Sequence, residues 1–222
     1  MSSATQAAPH PAQRHYFANL AVQKNAAVLG MWVFIAQEVM FFGGLFGAYA
    51  VYRFRYFDAF AVASHHLDLK LATLNTAVLI GSSLTMALAV HAAALGRSRQ
   101  IVGWLLGTVA LGAVFLGIKV VEYHEKFVHH LVPGAHFSAE SLELTGAAAG
   151  HAEIYFSLYF GMTGLHALHM VVGIPILLVL AARAARGAFG PEYHTPVELT
   201  GLYWHFVDIV WIFLFPLLYL IH

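Results

Sequence analysis

Several ionisable side chains of this chain lie inside stretches that are otherwise apolar, and most of them are three residues from another such side chain. That spacing places both members of a pair on one face of a helix. Carboxylates and imidazoles so arranged can hold and transfer protons, and imidazoles can also bind a metal or haem iron. Because a charged group at membrane depth is energetically costly, these residues are expected to face protein, water or a polar partner rather than lipid. They are Glu38, Lys119, Glu122, His166, His169, His205 and Asp208.

The composition indicates that the elements carrying these residues are membrane-spanning helices. Of 222 residues, 60% are hydrophobic and 10% are charged, and the mean hydropathy of +0.71 exceeds that of a soluble domain. Eleven basic and eleven acidic residues balance, so no net field attracts nucleic acid and no such partner is expected. The absence of cysteine excludes disulfides and thiolate metal sites.

Five apolar runs reach the roughly 20 residues that a helix needs to cross a bilayer. The sequence therefore predicts an all-α, polytopic membrane bundle of five transmembrane helices, and the lack of two-residue alternation argues against strands. A polar segment, 1–25, is predicted to precede a single transmembrane domain, 26–222. The spans are predicted at 26–52, 71–95, 101–123, 154–182 and 199–221.

Basic residues indicate the orientation of the predicted bundle in the membrane. Six of them fall at one end of it, which are Arg14, Lys24, Arg97, Arg99, Arg183 and Arg186. Because positive charge concentrates on the cytoplasmic side, this bias predicts a cytoplasmic N-terminus. Glu198, at the start of the fifth span and at the same end, is expected to be interfacial.

Small residues in the predicted spans indicate where helices approach one another closely. Two pairs of glycines lie four residues apart, a spacing that lets helix backbones come together. The pairs are Gly43 with Gly47 in the first span and Gly103 with Gly107 in the third.

A metal or haem site would begin at His166 and His169, which share a helical face. Two ligands are not enough, since a metal site needs three or four and bis-histidine haem ligation needs partners from opposing helices. His91 and His205 could be recruited. We expect no metal or cofactor in this chain, with a haem-binding membrane protein as the alternative that an optical spectrum would test.

The carboxylates admit both a structural and a proton-related interpretation. Burial of Glu38 favours a neutral or strongly hydrogen-bonded group, which could be proton-active, contact a lipid headgroup or join two helices. Asp208 could orient His205, as a polar pair inside the bundle or as a relay contact. Lys119 and Glu122 are expected to form an ion pair near the outer boundary of the membrane. An independent proton or ion carrier would use Glu38 and Asp208 as its binding groups.

Motifs for nucleotide use or hydrolysis are absent from the sequence. There is no glycine-rich phosphate loop, no His-Glu-x-x-His zinc motif and no nucleophile elbow. The chain is therefore predicted to lack a catalytic site of its own.

The stretch Tyr203–Trp211 reads YWHFVDIVW. It resembles the pattern YWHFVDxVW of subunit III of the haem-copper terminal oxidases, most closely of the cytochrome c oxidase branch. The likeness runs from about residue 31 to the C-terminus. Four further pieces follow the family's order, namely Glu38, then Leu74-Asn75-Thr76 with Ser82-Ser83 and His91, then Glu122-Tyr123, then TGLHALH from Thr163 to His169.

The resemblance implies an accessory subunit of a proton-pumping oxidase in a bacterial inner membrane, which supports proton uptake and stability of its catalytic neighbour. Haem and copper would belong to the partner subunits, and phospholipids would be structural ligands. The main contact would be subunit I, with subunits II and IV as further partners. The proton- or lipid-related candidates are Glu38, Glu122, His205 and Asp208. Candidates for lipid or helix-interface contacts are His91, His166, His169, Glu198, Trp204 and Trp211.

The sequence also departs from the family pattern. Longer members have seven helices, and the spans predicted here correspond to the last five. Gln37, Lys119 and Ala167 replace a serine, a glutamine and a glycine of the pattern. The nearest alternative is subunit III of a quinol oxidase or of a complex associated with nitric oxide reduction.

Overall fold

The computed structural model of this chain describes residues 11–134 and 137–220. Within these ranges the chain forms helices and no strand beyond an isolated bridge between Gly190 and Tyr193. The α-helices are α1 (Leu20–Arg55), α2 (Phe57–His65), α3 (Leu69–Ala94), α4 (Ser98–Val128), α5 (Ala147–Ala185) and α6 (Thr195–Tyr219), with a 3₁₀ helix at Glu140–Leu142. All except α2 are long and apolar enough to cross a membrane, which confirms the predicted all-α bundle of five spans.

The observed helices extend beyond the predicted spans. The first begins at Leu20 rather than at residue 26, and α5 begins at Ala147 rather than at residue 154. Hydropathy marks only the part of a helix inside hydrocarbon, whereas the helical turns continue into the polar interface. Residues 1–10 of the predicted polar segment and the last predicted residue of the fifth span lie outside the described residues.

The short helix α2 has no counterpart among the predicted elements. Its 9 residues are too few to span a membrane. Phe60 of α2 is fully buried, and its ring centroid lies 5.7 Å from that of Tyr49 and 5.3 Å from that of Tyr155. The helix therefore closes one end of the bundle by packing on α1 and α5.

A side-chain cap starts α3. The Asp68 Oδ1 atom accepts hydrogen bonds from the backbone N–H groups of Lys70 at 2.8 Å and Leu71 at 3.0 Å. We expect Asp68→Ala to lower the free energy of unfolding by about 1 kcal/mol, because two backbone donors lose their acceptor. Thermal unfolding of the purified protein measures the effect, and Asp68→Asn, which keeps a side-chain oxygen, is the control. Equal stability of the two variants would contradict this role.

The C-terminal helix α6 lies at the centre of the bundle. In the most apolar segment of α6, 56% of the residues are buried, compared with 11% in α1. Helix α6 packs against α3, α5 and α1, whereas α1 lies at the periphery and contacts mainly α5 and α6. Polar side chains on α6 therefore meet neighbouring helices, and most of α1 faces outward.

Close packing in the bundle depends on glycines that face Trp204. A Cβ atom added at Gly173 of α5 would lie 2.8 Å from the Trp204 ring, and one at Gly112 of α4 would lie 3.1 Å from it. The Trp204 indole Nε1 also donates to the Ser82 hydroxyl of α3 at 2.9 Å. Trp204 thus joins α6 to three other helices.

The predicted glycine contacts are wrong for three of the four positions. Within the described part of the chain, a Cβ atom at Gly43, Gly47 or Gly103 would meet nothing within 4 Å, and one at Gly107 would only touch the Thr85 side chain at 3.8 Å. Glycine spacing shows that a close approach is possible on one helix, but the approach also needs a neighbouring helix on that face.

The loop between α3 and α4 meets the loop between α5 and α6. Gly96 has a φ of 69°, and a Cβ atom there would lie 2.9 Å from the Pro191 Cδ atom. Both loops therefore lie at the end of the bundle where α1 begins, together with the basic residues that predict the orientation. The cytoplasmic location of that end stays a prediction.

Candidate functional site

A buried ionic cluster connects α4, α5 and α6. The Lys119 Nζ atom donates to Glu122 Oε2 at 2.8 Å and to the Tyr219 hydroxyl at 2.7 Å. Glu122 Oε1 accepts from the Tyr159 hydroxyl at 2.7 Å and also from the Tyr219 hydroxyl. Lys119 is 3% exposed and Glu122 is fully buried. The predicted ion pair is confirmed, and two tyrosines complete the hydrogen bonding of its carboxylate.

Aromatic rings enclose the ammonium group of this cluster. The Lys119 Nζ atom lies 4.5 Å from the Trp211 ring centroid, 5.3 Å from that of Tyr219 and 5.6 Å from that of Tyr159. Ring faces attract a cation electrostatically, most strongly where water is excluded. Glu122 is about 9 Å of helix from the C-terminal end of α4, so the cluster lies near one membrane boundary.

A carboxyl–imidazole pair joins α1 to α5. The Glu38 Oε2 and His169 Nε2 atoms are 3.4 Å apart, and Glu38 Oε2 makes no hydrogen bond within the described part of the chain. The His169 Nδ1 atom lies 2.9 Å from the Leu165 carbonyl oxygen. A carbonyl can only accept, so Nδ1 carries a hydrogen and a neutral ring leaves Nε2 as an acceptor. The contact between Nε2 and the carboxyl therefore becomes favourable when the two groups share one proton.

An apolar groove lies beside this pair, between α1, α5 and α6. Its volume is about 430 Å³, and His169 contributes to its wall. The rest of the lining is Met31, Phe34, Leu168, Val172, Ile176, Thr200 and Tyr203. Such a surface suits an acyl chain better than water, because few groups along it can hydrogen bond.

His205 and Asp208 do not pair with each other. The His205 Nε2 atom lies 3.1 Å from the Ser83 carbonyl oxygen of α3, and neither Asp208 carboxyl oxygen has a hydrogen-bond partner within the described residues. The expectation that Asp208 orients His205 is therefore wrong. A spacing of three residues puts both side chains on one side of α6, but His205 is directed by its contact with the Ser83 carbonyl oxygen of α3 and not by Asp208.

The histidines considered as metal ligands are dispersed. His166 is fully buried, and its ring lies 5.3 Å from that of Phe115 and 5.2 Å from that of Trp211. His91 is exposed at the last turn of α3. Among the described residues, no group of three or more histidine, aspartate or glutamate side chains could hold a metal ion.

Glu198 lies at the end of the bundle that carries the basic loops. Its carboxylate contacts Lys24 Nζ at 2.9 Å and His194 Nε2 at 3.0 Å. The contact with Lys24 ties the first turns of α1 to the start of α6. This interfacial ion pair is a weak stabilising contact.

One tryptophan and two tyrosines make contacts between helices whose partners the sequence alone did not predict. The Trp211 Nε1 atom of α6 donates to the Thr76 hydroxyl of α3 at 3.0 Å. Trp211 therefore joins two helices, as Trp204 does. Tyr159 and Tyr219 belong to the ionic cluster but were not among the candidates. A tyrosine near the end of an apolar helix also fits a membrane-interface residue, so its sequence position does not distinguish the two roles.

These features define a polytopic membrane protein in which several buried ionisable groups join the helices. The chain belongs to the cytochrome c oxidase subunit III family, since the sequence profile described as Cytochrome c oxidase subunit III matches residues 13–222. It is a subunit III of the haem-copper oxidase family and thus part of a terminal oxidase complex.

Individual relatives support this assignment. The chain is 34% identical over 195 residues to a cytochrome c oxidase subunit 3 of Thermostichus vulcanus, covering 87% of each chain. It is 30% identical over 194 residues to a quinol oxidase subunit 3 of Bacillus subtilis, covering 87% of this chain and 86% of the relative. A cytochrome c oxidase subunit 3 of Dugong dugon is 33% identical over 86% of this chain and 67% of its own length. The identities to the two kinds of oxidase are similar and do not separate them.

Proposed function

We propose that this chain is the accessory subunit III of a proton-pumping cytochrome c oxidase in a bacterial inner membrane. It supports proton uptake by the catalytic subunit, stabilises that subunit and binds phospholipid, and it holds no redox centre of its own. Its main partner is subunit I, with further contacts to subunits II and IV. Haem and copper belong to those partners.

The observation that carries this proposal is the Glu38–His169 pair. The two groups lie near the middle of their helices, with Glu38 about 27 Å from the first residue of α1. At that depth a carboxyl and an imidazole that share a proton form a neutral or zwitterionic unit, which is far less costly than a single charge. Such a pair can also accept or release a proton when its surroundings change.

The groove beside the pair supports the lipid-binding part of the proposal. Its apolar wall is formed by three helices and includes His169. An acyl chain lying there would shield the pair from water. Lipid occupancy and the contact between Glu38 and His169 are therefore expected to depend on each other.

A quinol oxidase is the second candidate, because the chain is 30% identical to the quinol oxidase subunit 3 of Bacillus subtilis. The electron donor is recognised by the partner subunits in either case. The purified complex should therefore be assayed with reduced cytochrome c and with a quinol. Oxidation of the quinol alone would favour the second candidate.

The composition of the native complex tests the main proposal. An affinity tag on this chain is expected to retain a haem-copper catalytic subunit, recognisable by its haem spectrum and copper content. Absence of such a partner would overturn the proposal. Proton flux through liposomes that contain only this chain would favour an independent carrier instead.

We expect Glu38→Gln to leave complex assembly within about twofold of the wild type, because a glutamine can still hydrogen bond to His169. The amide cannot share a proton with the imidazole, so bound phospholipid and the number of turnovers before inactivation should fall severalfold. Lipid mass spectrometry and prolonged oxygen-consumption assays measure these effects.

The matched control is Met40→Leu, a change at a residue of α1 that is 76% exposed. It should leave both readings unchanged. Wild-type lipid content together with wild-type turnover in Glu38→Gln would show that the pair serves only to join two helices.

A further inference from the structure

A second groove, distinct from the one beside Glu38, lies between α3 and α6 on the outer surface of the bundle. It has a volume of about 340 Å³, and Asp208 and His205 form part of its lining together with Thr76, Ser83, Ile209 and Ile212. Hydrogen-bonding groups therefore converge in a groove whose remaining wall is apolar.

The carboxyl group of Asp208 needs a partner that the chain does not supply. Asp208 is only 4% exposed, and both of its carboxyl oxygens lack a hydrogen-bond partner within the described residues. The Ser83 side chain lies beside it, but one hydroxyl can donate only one hydrogen bond, and a carboxyl group has more acceptor sites than that in either protonation state. A buried carboxyl without sufficient partners is destabilising, so a donor from outside the chain is expected.

The imidazole in the same groove also calls for a donor. His205 is partly exposed, and its Nε2 atom faces the Ser83 carbonyl oxygen, which can only accept. The hydrogen of a neutral ring is therefore on Nε2, and Nδ1 is an acceptor. The described residues offer this nitrogen no hydrogen bond. Both groups in the groove thus accept hydrogen bonds.

The depth of Asp208 identifies the kind of partner that can donate there. Asp208 lies about 20 Å of helix from the start of α6 and about 17 Å from its end, which is close to the middle of the membrane. Acyl chains carry no donor, and phospholipid headgroups remain at the interface. A side chain on a transmembrane helix of another protein can supply a donor at this depth.

The neighbouring groove between α1 and α6 provides a contrast. It has a volume of about 240 Å³ and is lined by Val39, Phe42, Gly43, Phe46, Phe206, Ile209, Val210 and Phe213. None of these side chains requires a hydrogen bond. Ile209 belongs to both linings, so one outward ridge of α6 separates a polar groove from an apolar one.

We infer that the groove between α3 and α6 is the docking site for a transmembrane helix of the catalytic subunit, and that this helix presents a hydrogen-bond donor to Asp208 and His205. This inference rests on the proposed function, because it requires a membrane partner. It assigns the face of this chain that meets that partner.

Photo-crosslinking in the intact complex tests the docking face. Two variants are compared, each with one benzophenone amino acid. It replaces Ile212, which is 50% exposed in the groove between α3 and α6, in the first variant, and Val171, which is 53% exposed on α5, in the second. The inference expects an adduct between position 212 and the catalytic subunit, and at least about fivefold less from position 171. An adduct only with lipid at position 212, or with the catalytic subunit only from position 171, would overturn it.

Substitution of the carboxyl gives a second reading. Asp208→Val should reduce the fraction of this chain that stays with the catalytic subunit through detergent washing by about fivefold, the effect of one hydrogen bond between membrane helices. Asp208→Asn keeps an acceptor and should retain most of the association. Phe213→Ala, in the apolar groove, is the matched control and should bind like the wild type.

The outcomes separate this inference from the proposed function. The amount of this chain in membranes before extraction shows whether Asp208→Val still folds, and the crosslinks give the face independently of any substitution at Asp208. Equal retention of Asp208→Val and the wild type would overturn the inference while leaving the proposed function intact. A complex without any haem-copper subunit would instead remove the proposed function.

Discussion

Glu122→Ala is expected to lower the free energy of unfolding of this chain by about 3–5 kcal/mol, because it leaves the Lys119 ammonium group buried without its counter-charge. Lys119 is 3% exposed and donates to Glu122 Oε2 at 2.8 Å. The Tyr159 hydroxyl would lose its acceptor as well. Reversible unfolding of the purified chain in mixed micelles would measure the change.

The double variant Lys119→Met with Glu122→Gln is the control for this prediction. It removes both charges and keeps a side-chain oxygen that can accept from the two tyrosine hydroxyls. Replacing both partners of a buried ion pair is often nearly neutral, so the double variant should unfold within about 1 kcal/mol of the wild type. A single Glu122→Ala variant as stable as the wild type would mean that the cluster is hydrated and not held by its charges.

Trp204→Ala should be comparably destabilising, by about 3–5 kcal/mol, because it opens a large cavity where α3, α4, α5 and α6 meet. The Trp204 side chain is fully buried between Gly112 and Gly173, and its indole Nε1 donates a hydrogen bond to the Ser82 hydroxyl. The same unfolding measurement applies. The variant should also lack the fluorescence of the buried Trp204 indole, which identifies this site as the one that changed.

Trp104→Ala serves as the comparison for Trp204→Ala. Trp104 lies on α4 and is 38% exposed, so its removal leaves a space that lipid can fill. We expect the Trp104 variant to lose less than half as much stability. If both variants unfolded alike, the glycine-lined contact around Trp204 would not be the main junction of the bundle.

Three of the polar sites in this protein make three different kinds of contact. The Lys119–Glu122 cluster is satisfied inside the chain, and its proposed role is to join α4 to α5 and α6. The Glu38 carboxyl and the His169 imidazole lie 3.4 Å apart between two helices beside an apolar groove, and they are proposed to share a proton. Neither carboxyl oxygen of Asp208 has a hydrogen-bond partner within the described residues. Asp208 is therefore proposed to contact a second protein.

The number of transmembrane spans was predictable because each residue contributes to the hydropathy of a segment independently of the tertiary structure. Each apolar side chain favours the membrane regardless of its neighbours, so five long apolar runs indicate five helices before any packing is known. The short helix α2 escaped prediction because nine residues carry too weak a pattern. Its burial follows from contacts of Phe60 with Tyr49 and Tyr155, which are remote in sequence.

The partners of the ionisable groups could not be predicted with the same success. Lys119 with Glu122 and His205 with Asp208 have the same three-residue spacing, yet only the first two residues pair. Spacing along a helix decides which side chains share a face, and the adjacent helices decide where each one points. For His205 the deciding neighbour is Ser83, 122 positions away along the chain, so its partner depends on how α3 packs against α6.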